Sequence, residues 1–267
     1  MQYFVRNKEI IGNLHLPSQE NNKRIGLVWL PGLPNHPIVE DMGTPLVNLG
    51  FTVLNARYPG SWQSYGSFGP ESSLEGALLG IELLSKGETQ DLASQKDISW
   101  DIDHIVLVGN SYGGAIAMSA LGISDLVDAA VAFCPLLDPS EQNQDEELPE
   151  SDLSSIYPFL KRCHENVFRH LDEEEWENFI EGNHKCNPQK YIHEIKDKPI
   201  FLLHGHEDKS IRSYHTEKFY QTLKEAGAEK TKAVFKEGIG HGRELRTSTR
   251  DLWVDWILEH VKQENKL

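Results

Sequence analysis

The chain alternates short apolar runs with stretches whose apolar residues recur at helical spacing. Residues 8–16, 25–30 and 51–56 predict the first strands. Between the last two, residues 39–49 predict a helix, and Ser72-Ser73 opens another whose Leu74, Ala77, Leu78, Ile81 and Leu84 share one face. Residues 104–108 and 129–134 are further strand-like runs, separated by a small-residue helix that begins near Ala115. After a long interruption the alternation resumes with a run at 199–203, a helix at 213–226 stopped by Gly227, and a run at 233–236. A last helix from Thr247 onward is predicted to bury Trp253, Trp256, Ile257 and Val261. Near-continuous apolar strands of this kind suit the middle of a parallel sheet covered on both faces, so the pattern predicts the α/β class.

The interruption is compositionally distinct, with 14 acidic and 5 basic residues between Asp138 and Lys190. Residues 141–150 predict a solvated loop, and 156–168 and 173–180 predict amphipathic helices. The strands ending at Cys134 and His204 are expected to be consecutive in the sheet. Residues 138–195 then form an acidic insertion above its carboxyl end, within one domain spanning 1–267. A net charge of −15 argues against nucleic acid or an anionic membrane as partner. No segment reaches the ~20 apolar residues of a membrane span. Three cysteines and a first stretch without a signal-peptide pattern predict a reducing, cytoplasmic setting.

The candidate chemistry lies directly after the strand-like runs. Gly109-Asn110-Ser111-Tyr112-Gly113 sits between a strand and a helix, and a G-x-S-x-G in that context reads as a nucleophile elbow. Glycines on both sides let neighbouring chain approach a serine held in a strained turn. A serine hydroxyl needs a base and a group to orient that base. Asp208, in His204-Gly205-His206-Glu207-Asp208, is the acid candidate, and His241, in Gly240-His241-Gly242, is the base candidate. Asp138 also follows a strand-like run and is the alternative acid, although Asp138-Pro139 also suits a cap or turn. His204 and His206 read as residues that brace the loop or line the site, not as the base. Trp62, Tyr65 and Phe68 either line an acyl pocket or pack their own loop.

The order Ser111, Asp208, His241 resembles that of the α/β-hydrolases over nearly the whole chain. Arg57-Tyr58-Pro59-Gly60-Ser61 with Tyr65-Gly66 is similar to the prolyl-oligopeptidase and acylaminoacyl-peptidase branch. The resemblance implies an α/β-hydrolase fold, with a mostly parallel central sheet, helices on both faces and the 138–195 insertion in the lid position. It also implies an oxyanion hole made by the backbone N–H groups of Tyr112 and Leu33. Pro31 stands where many relatives carry histidine, which leaves open how the Pro31-Gly32-Leu33-Pro34 loop is braced.

The implied activity is serine hydrolysis of a carboxylic ester of small or medium size through an acyl-enzyme, without cofactor or metal. Cys163-His164 and His184-Lys185-Cys186 match no common zinc spacing. The alternatives are a peptidase or amidase acting on a short peptide-like substrate, an acyltransferase or cyclase using the same acyl-enzyme, and a non-catalytic binding relative. The oligomeric state is left open by the sequence.

Overall fold

The computed structural model describes residues 1–163 and 167–261. Two antiparallel strands, β1 (Gln2–Asn7) and β2 (Ile10–His15), lead into β3 (Ile25–Leu30), α1 (Thr44–Asn48), β4 (Thr52–Ala56) and α2 (Pro70–Lys86). A small hairpin, β5 (Glu88–Gln90) and β6 (Asp97–Ser99), precedes β7 (His104–Asn110), α3 (Tyr112–Ile123) and β8 (Ala129–Phe133). Next come α4 (Ile156–Cys163), α5 (Glu173–Ile180) and α6 (Ile192–Ile195), then β9 (Ile200–Gly205), α7 (Ser213–Glu225), β10 (Thr231–Lys236), α8 (Arg243–Ser248) and α9 (Arg250–Val261).

Eight strands form one sheet in the order β1-β2-β4-β3-β7-β8-β9-β10, parallel from β4 to β10. Every residue of β3, β8 and β9 is buried, as expected of strands covered on both faces. One face carries α1 and α9 through Leu46, Trp253, Trp256 and Ile257. The other carries α2, α3 and α7 through Leu74, Ile81, Ile116 and Phe219. The chain leaves β3 toward β4 on one side, whereas β7 continues to β8 on the other. Their carboxyl ends therefore open a crevice at the switch point of the sheet, where ligands bind in open α/β folds.

The fold departs from the sequence pattern where local geometry overrides it. The first strand-like run begins inside a hairpin turn, with Lys8 at φ +49°, and β1 precedes it as an edge strand. The helix expected over 39–49 is divided by Gly43 into a 3-10 turn, Glu40–Met42, and the short α1. α2 starts at Pro70, with Ser72 receiving the Gly69 N–H in a capping box.

The segment between β8 and β9 is bolted to the 57–70 loop. Trp62 N donates to Val167 O, Phe68 N to Arg169 O, and Arg169 N to Gly60 O. Phe168, Trp176 and Phe179 are buried against Phe68 and Tyr112. Among the described residues no helix is long and apolar enough to cross a membrane.

Candidate active site

Ser111 sits between β7 and α3 with φ +55° and ψ −122°, a conformation that costs a non-glycine residue energy and persists only where neighbours over-determine it. Those neighbours are visible. Ser111 N donates to Phe133 O at 2.9 Å, while Ser111 O accepts from Gly114 N at 2.8 Å and Leu136 N at 3.1 Å. A Cβ at Gly113 would collide with the carbonyl oxygens of Leu30 and Pro31, so the elbow can lie against the end of β3 only with glycine there.

Asp208 and His241 come from the loops after β9 and β10. His241 Nδ1 donates to Asp208 Oδ2 at 2.6 Å, which leaves Nε2 as the acceptor nitrogen of the neutral ring. The Asp208 side chain is fully buried, and its Oδ1 accepts from the N–H groups of Ser210 and Ile211 at 2.8 and 3.0 Å. Burial by itself would raise the pKa of this carboxyl. The hydrogen bonds from His204, His241 and Ile211 outweigh it and hold the group well below the usual carboxylate range. Asp208 is therefore ionised at every working pH. Ser111 and His241 together border two cavities, one on each side of the elbow.

His204 is a brace: buried, with Nε2 2.9 Å from Ile211 O and Nδ1 2.7 Å from Thr216 Oγ1. Both Ile211 O and Asp208 only accept, so Nε2 carries the proton. His206 lies against Phe235, with Nδ1 3.3 Å from Ser213 Oγ. Asp138 is remote from His241 in role, accepting from Ser140 N and Oγ as a turn cap. Phe68 packs against Tyr58 of its own loop and against Phe168 and Trp176 of the insertion, Tyr65 is exposed beneath Arg6, and Trp62 Nε1 donates to Asn35 Oδ1 at 2.7 Å.

The loop after β3 is braced without a histidine. Tyr58 Oη donates to Pro31 O at 3.0 Å, and Gly32 lies where a Cβ would come 3.0 Å from the Ser111 Cβ. Leu33 borders both cavities, and among the described residues its N–H donates to no backbone carbonyl. Tyr112 is the first residue of α3, so its N–H has no partner within the helix and adds to the positive end of the helix dipole.

Three features of the site had no signal in the sequence pattern. Arg246 and Asp41 form a buried ion pair, with Nε 3.0 Å from Oδ2, and Arg246 Nη1 donates to Asn110 Oδ1 at 3.2 Å, next to the nucleophile candidate. Cys134, with φ +42°, places its thiol beside Asp208 and His241. Burial and the Asp208 charge push that thiol up, so it stays protonated. These three side chains form a cluster with metal-ligand atoms, but a cation would have to displace the thiol proton and break the Asp208–His241 bond. In the other cysteine motif, Cys186 Sγ donates to Pro70 O and His184 Nδ1 accepts from Cys186 N, so neither presents a free ligand pair. His164 and the Cys163 side chain lie outside the described residues.

The third feature lies at the ends of the 141–150 loop, whose residues 143–149 are exposed as expected. The Glu150 carboxylate is enclosed, accepting from His215 Nε2 at 2.8 Å and Arg212 N at 2.5 Å. Gln142 Nε2 donates to Ser210 O at 2.5 Å. The acidic segment is thereby clamped to the loop that carries Asp208. Burial raises the Glu150 carboxyl, but hydrogen bonds from His215, Arg212 and Asn143 bring it net below its ordinary value. A carboxyl lowered in the folded state stabilises above its unfolded pKa of about 4.3, and that contribution drains as pH falls through the folded value. Glu150→Gln is expected to cost about 1–3 kcal/mol at pH 7. In urea titrations the gap to wild type should close below about pH 4.

The Prolyl oligopeptidase family model matches residues 88–264. The human acylamino-acid-releasing enzyme is 25% identical over 183 residues, covering 67% of this chain and 23% of its own length. The chain thus spans about a quarter of that relative. Among solved structures, the α/β hydrolase GrgF from Penicillium sp. sh18 superposes with a TM-score of 0.70 at 17% identity, covering 97% of this chain and 99% of that one. Est1E from Butyrivibrio proteoclasticus gives 0.66 at 16% identity, covering 98% and 99%. The Pyrococcus horikoshii acylaminoacyl peptidase gives 0.69 at 18% identity, covering 100% of this chain and 42% of that one. These superpositions agree on the α/β-hydrolase fold.

Proposed function

The chain belongs to the prolyl oligopeptidase family, and on that premise we propose that it is a serine hydrolase that cleaves a carboxylic ester with a small or medium acyl group, using Ser111, His241 and Asp208. His241 Nε2 takes the Ser111 proton as Oγ attacks the carbonyl carbon. Asp208 holds the imidazole in the required tautomer and stabilises its cation. The N–H groups of Leu33 and Tyr112 receive the developing oxyanion. The alcohol leaves with the proton from His241, and water activated by the same nitrogen releases the acid.

The observation that carries the ester reading is the cavity on one side of Ser111. It measures about 290 Å³, and Leu33, Leu136, Leu153, Ile156, Phe159 and Ile211 supply its apolar wall, with Gln142, Asp152 and Arg162 also lining it. This size and character suit a short apolar acyl chain. Residues 142–162 supply much of the wall, so in this reading the acidic insertion is a cap that selects the acyl group. The cavity on the other side, about 540 Å³ and lined by His36, Glu40 and Arg243, takes the leaving group. A second reading, acylaminoacyl-peptidase-like cleavage of an amide, is favoured by the family match and the human relative.

Initial rates on p-nitrophenyl esters of increasing acyl length, beside aminoacyl and peptidyl anilides, separate the two, with Ser111→Ala as the blank. Ester turnover without anilide turnover supports the proposal, and anilide turnover at comparable kcat/KM moves the protein to the peptidase reading. Phe159→Ala is expected to shift kcat/KM toward the longer esters by about tenfold relative to the shorter ones. An unchanged length profile contradicts the acyl assignment of this cavity.

A further inference from the structure

Arg57 opens the loop motif similar to the peptidase branch, yet it borders neither cavity beside Ser111. Its residue is 6% exposed, and it lines a separate cavity of about 470 Å³. Ile38, Val39 and Glu40 form a wall between this cavity and the leaving-group side of the reaction site. Arg57 Nη1 donates to Asn13 Oδ1 and, at 3.3 Å, to Asn55 O, while Nε is enclosed without a partner. Burial lowers the guanidinium to about 10, and among the described residues no carboxylate offsets that cost. His15 lines the same cavity, and burial together with the positive charges of the N-terminus and Arg57 lowers its pKa. The one acid on the wall, Glu40, is 75% exposed and reaches Arg243 instead.

A buried charge without a counter-ion is expensive, and a guanidinium is shaped to bind two oxygens of a carboxylate or phosphate. We propose that this cavity is a binding site for a small oxyanion, a carboxylate or phosphate group, held by the Arg57 guanidinium with Asn13, Gln63 and His15 offering further donors. Ser111 does not border the cavity, so the anion is a second ligand and not the group that reacts.

The test is titration of the full chain with inorganic phosphate and with acetate, against chloride at equal ionic strength, followed by thermal unfolding and calorimetry. A saturable response is expected, raising the folded-to-unfolded ratio about a hundredfold at one hundred times Kd. Ser111→Ala should retain it and Arg57→Gln should abolish it. A response to phosphate alone assigns a phosphorylated ligand, and a response to acetate alone assigns a carboxylate. Gln63 is exposed, so Gln63→Glu tests the site without disturbing packing. It is expected to weaken binding at least about tenfold through like-charge repulsion. The absence of a saturable response to either anion, or equal affinity in folded Arg57→Gln or in Gln63→Glu, overturns the proposal.

Discussion

Replacing Ser111 with alanine is expected to lower kcat by about four to six orders of magnitude on every ester or anilide that the wild type turns over. The loss is confined to chemistry because alanine keeps the Cβ and the same backbone. The hydrogen bonds that hold the elbow all run through the main chain of residue 111. The unfolding midpoint should therefore move by no more than the equivalent of about 0.5 kcal/mol. A slow residual rate is expected, of the size that oxyanion donors and substrate binding supply without the nucleophile. Adding His241→Ala should then cost almost nothing further, since members of such a unit are not additive.

Asp208→Asn is expected to lower kcat by about four orders of magnitude. Oδ1 of the new side chain would keep the Ser210 and Ile211 amides, so its Nδ2 would face His241 Nδ1. Two donors cannot share that contact. The ring would turn to the tautomer with the proton on Nε2, which cannot accept one from serine. Asp138→Asn is the matched comparison, because Asp138 bonds only within its turn and to Asn187. Asparagine keeps the cap through its own Oδ1, so stability should move by no more than about 0.5 kcal/mol and kcat should stay within about twofold. Activity that falls with Asp138→Asn and survives Asp208→Asn would reverse the acid assignment. Steady-state rates on one activated ester, with urea midpoints for each variant, check both expectations.

The candidate residues around the elbow were legible because each follows a strand whose continuous apolar run is its own signal. Ser111 after β7, Asp208 after β9 and His241 after β10 could be placed at the same end of one parallel sheet from the alternation alone. β1 was hidden because an edge strand buries only part of one face, here Val5 and Asn7. The β5–β6 hairpin is too short and polar, Glu88-Thr89-Gln90 against Asp97-Ile98-Ser99, to show a period. Polar pairs that form across the fold leave no local pattern. Arg246 and Asp41 are 205 positions apart, and Glu150 meets His215 across 65. The Arg57–Gly66 loop was visible as a motif. Its work as an anchor, tying Tyr58 to Pro31 and Gly60 to Arg169, joins residues far apart in the chain and so leaves no local pattern.

The most direct measurement is intact and peptide mass after exposure to a fluorophosphonate, with wild type, Ser111→Ala and His241→Ala side by side. One adduct per chain is expected on the peptide containing Ser111, none in Ser111→Ala, and labelling slowed by at least about a hundredfold in His241→Ala, since general-base assistance contributes that much. An unlabelled wild type that turns over substrate, or an adduct that persists in Ser111→Ala, would contradict the assignment of Ser111 as the nucleophile.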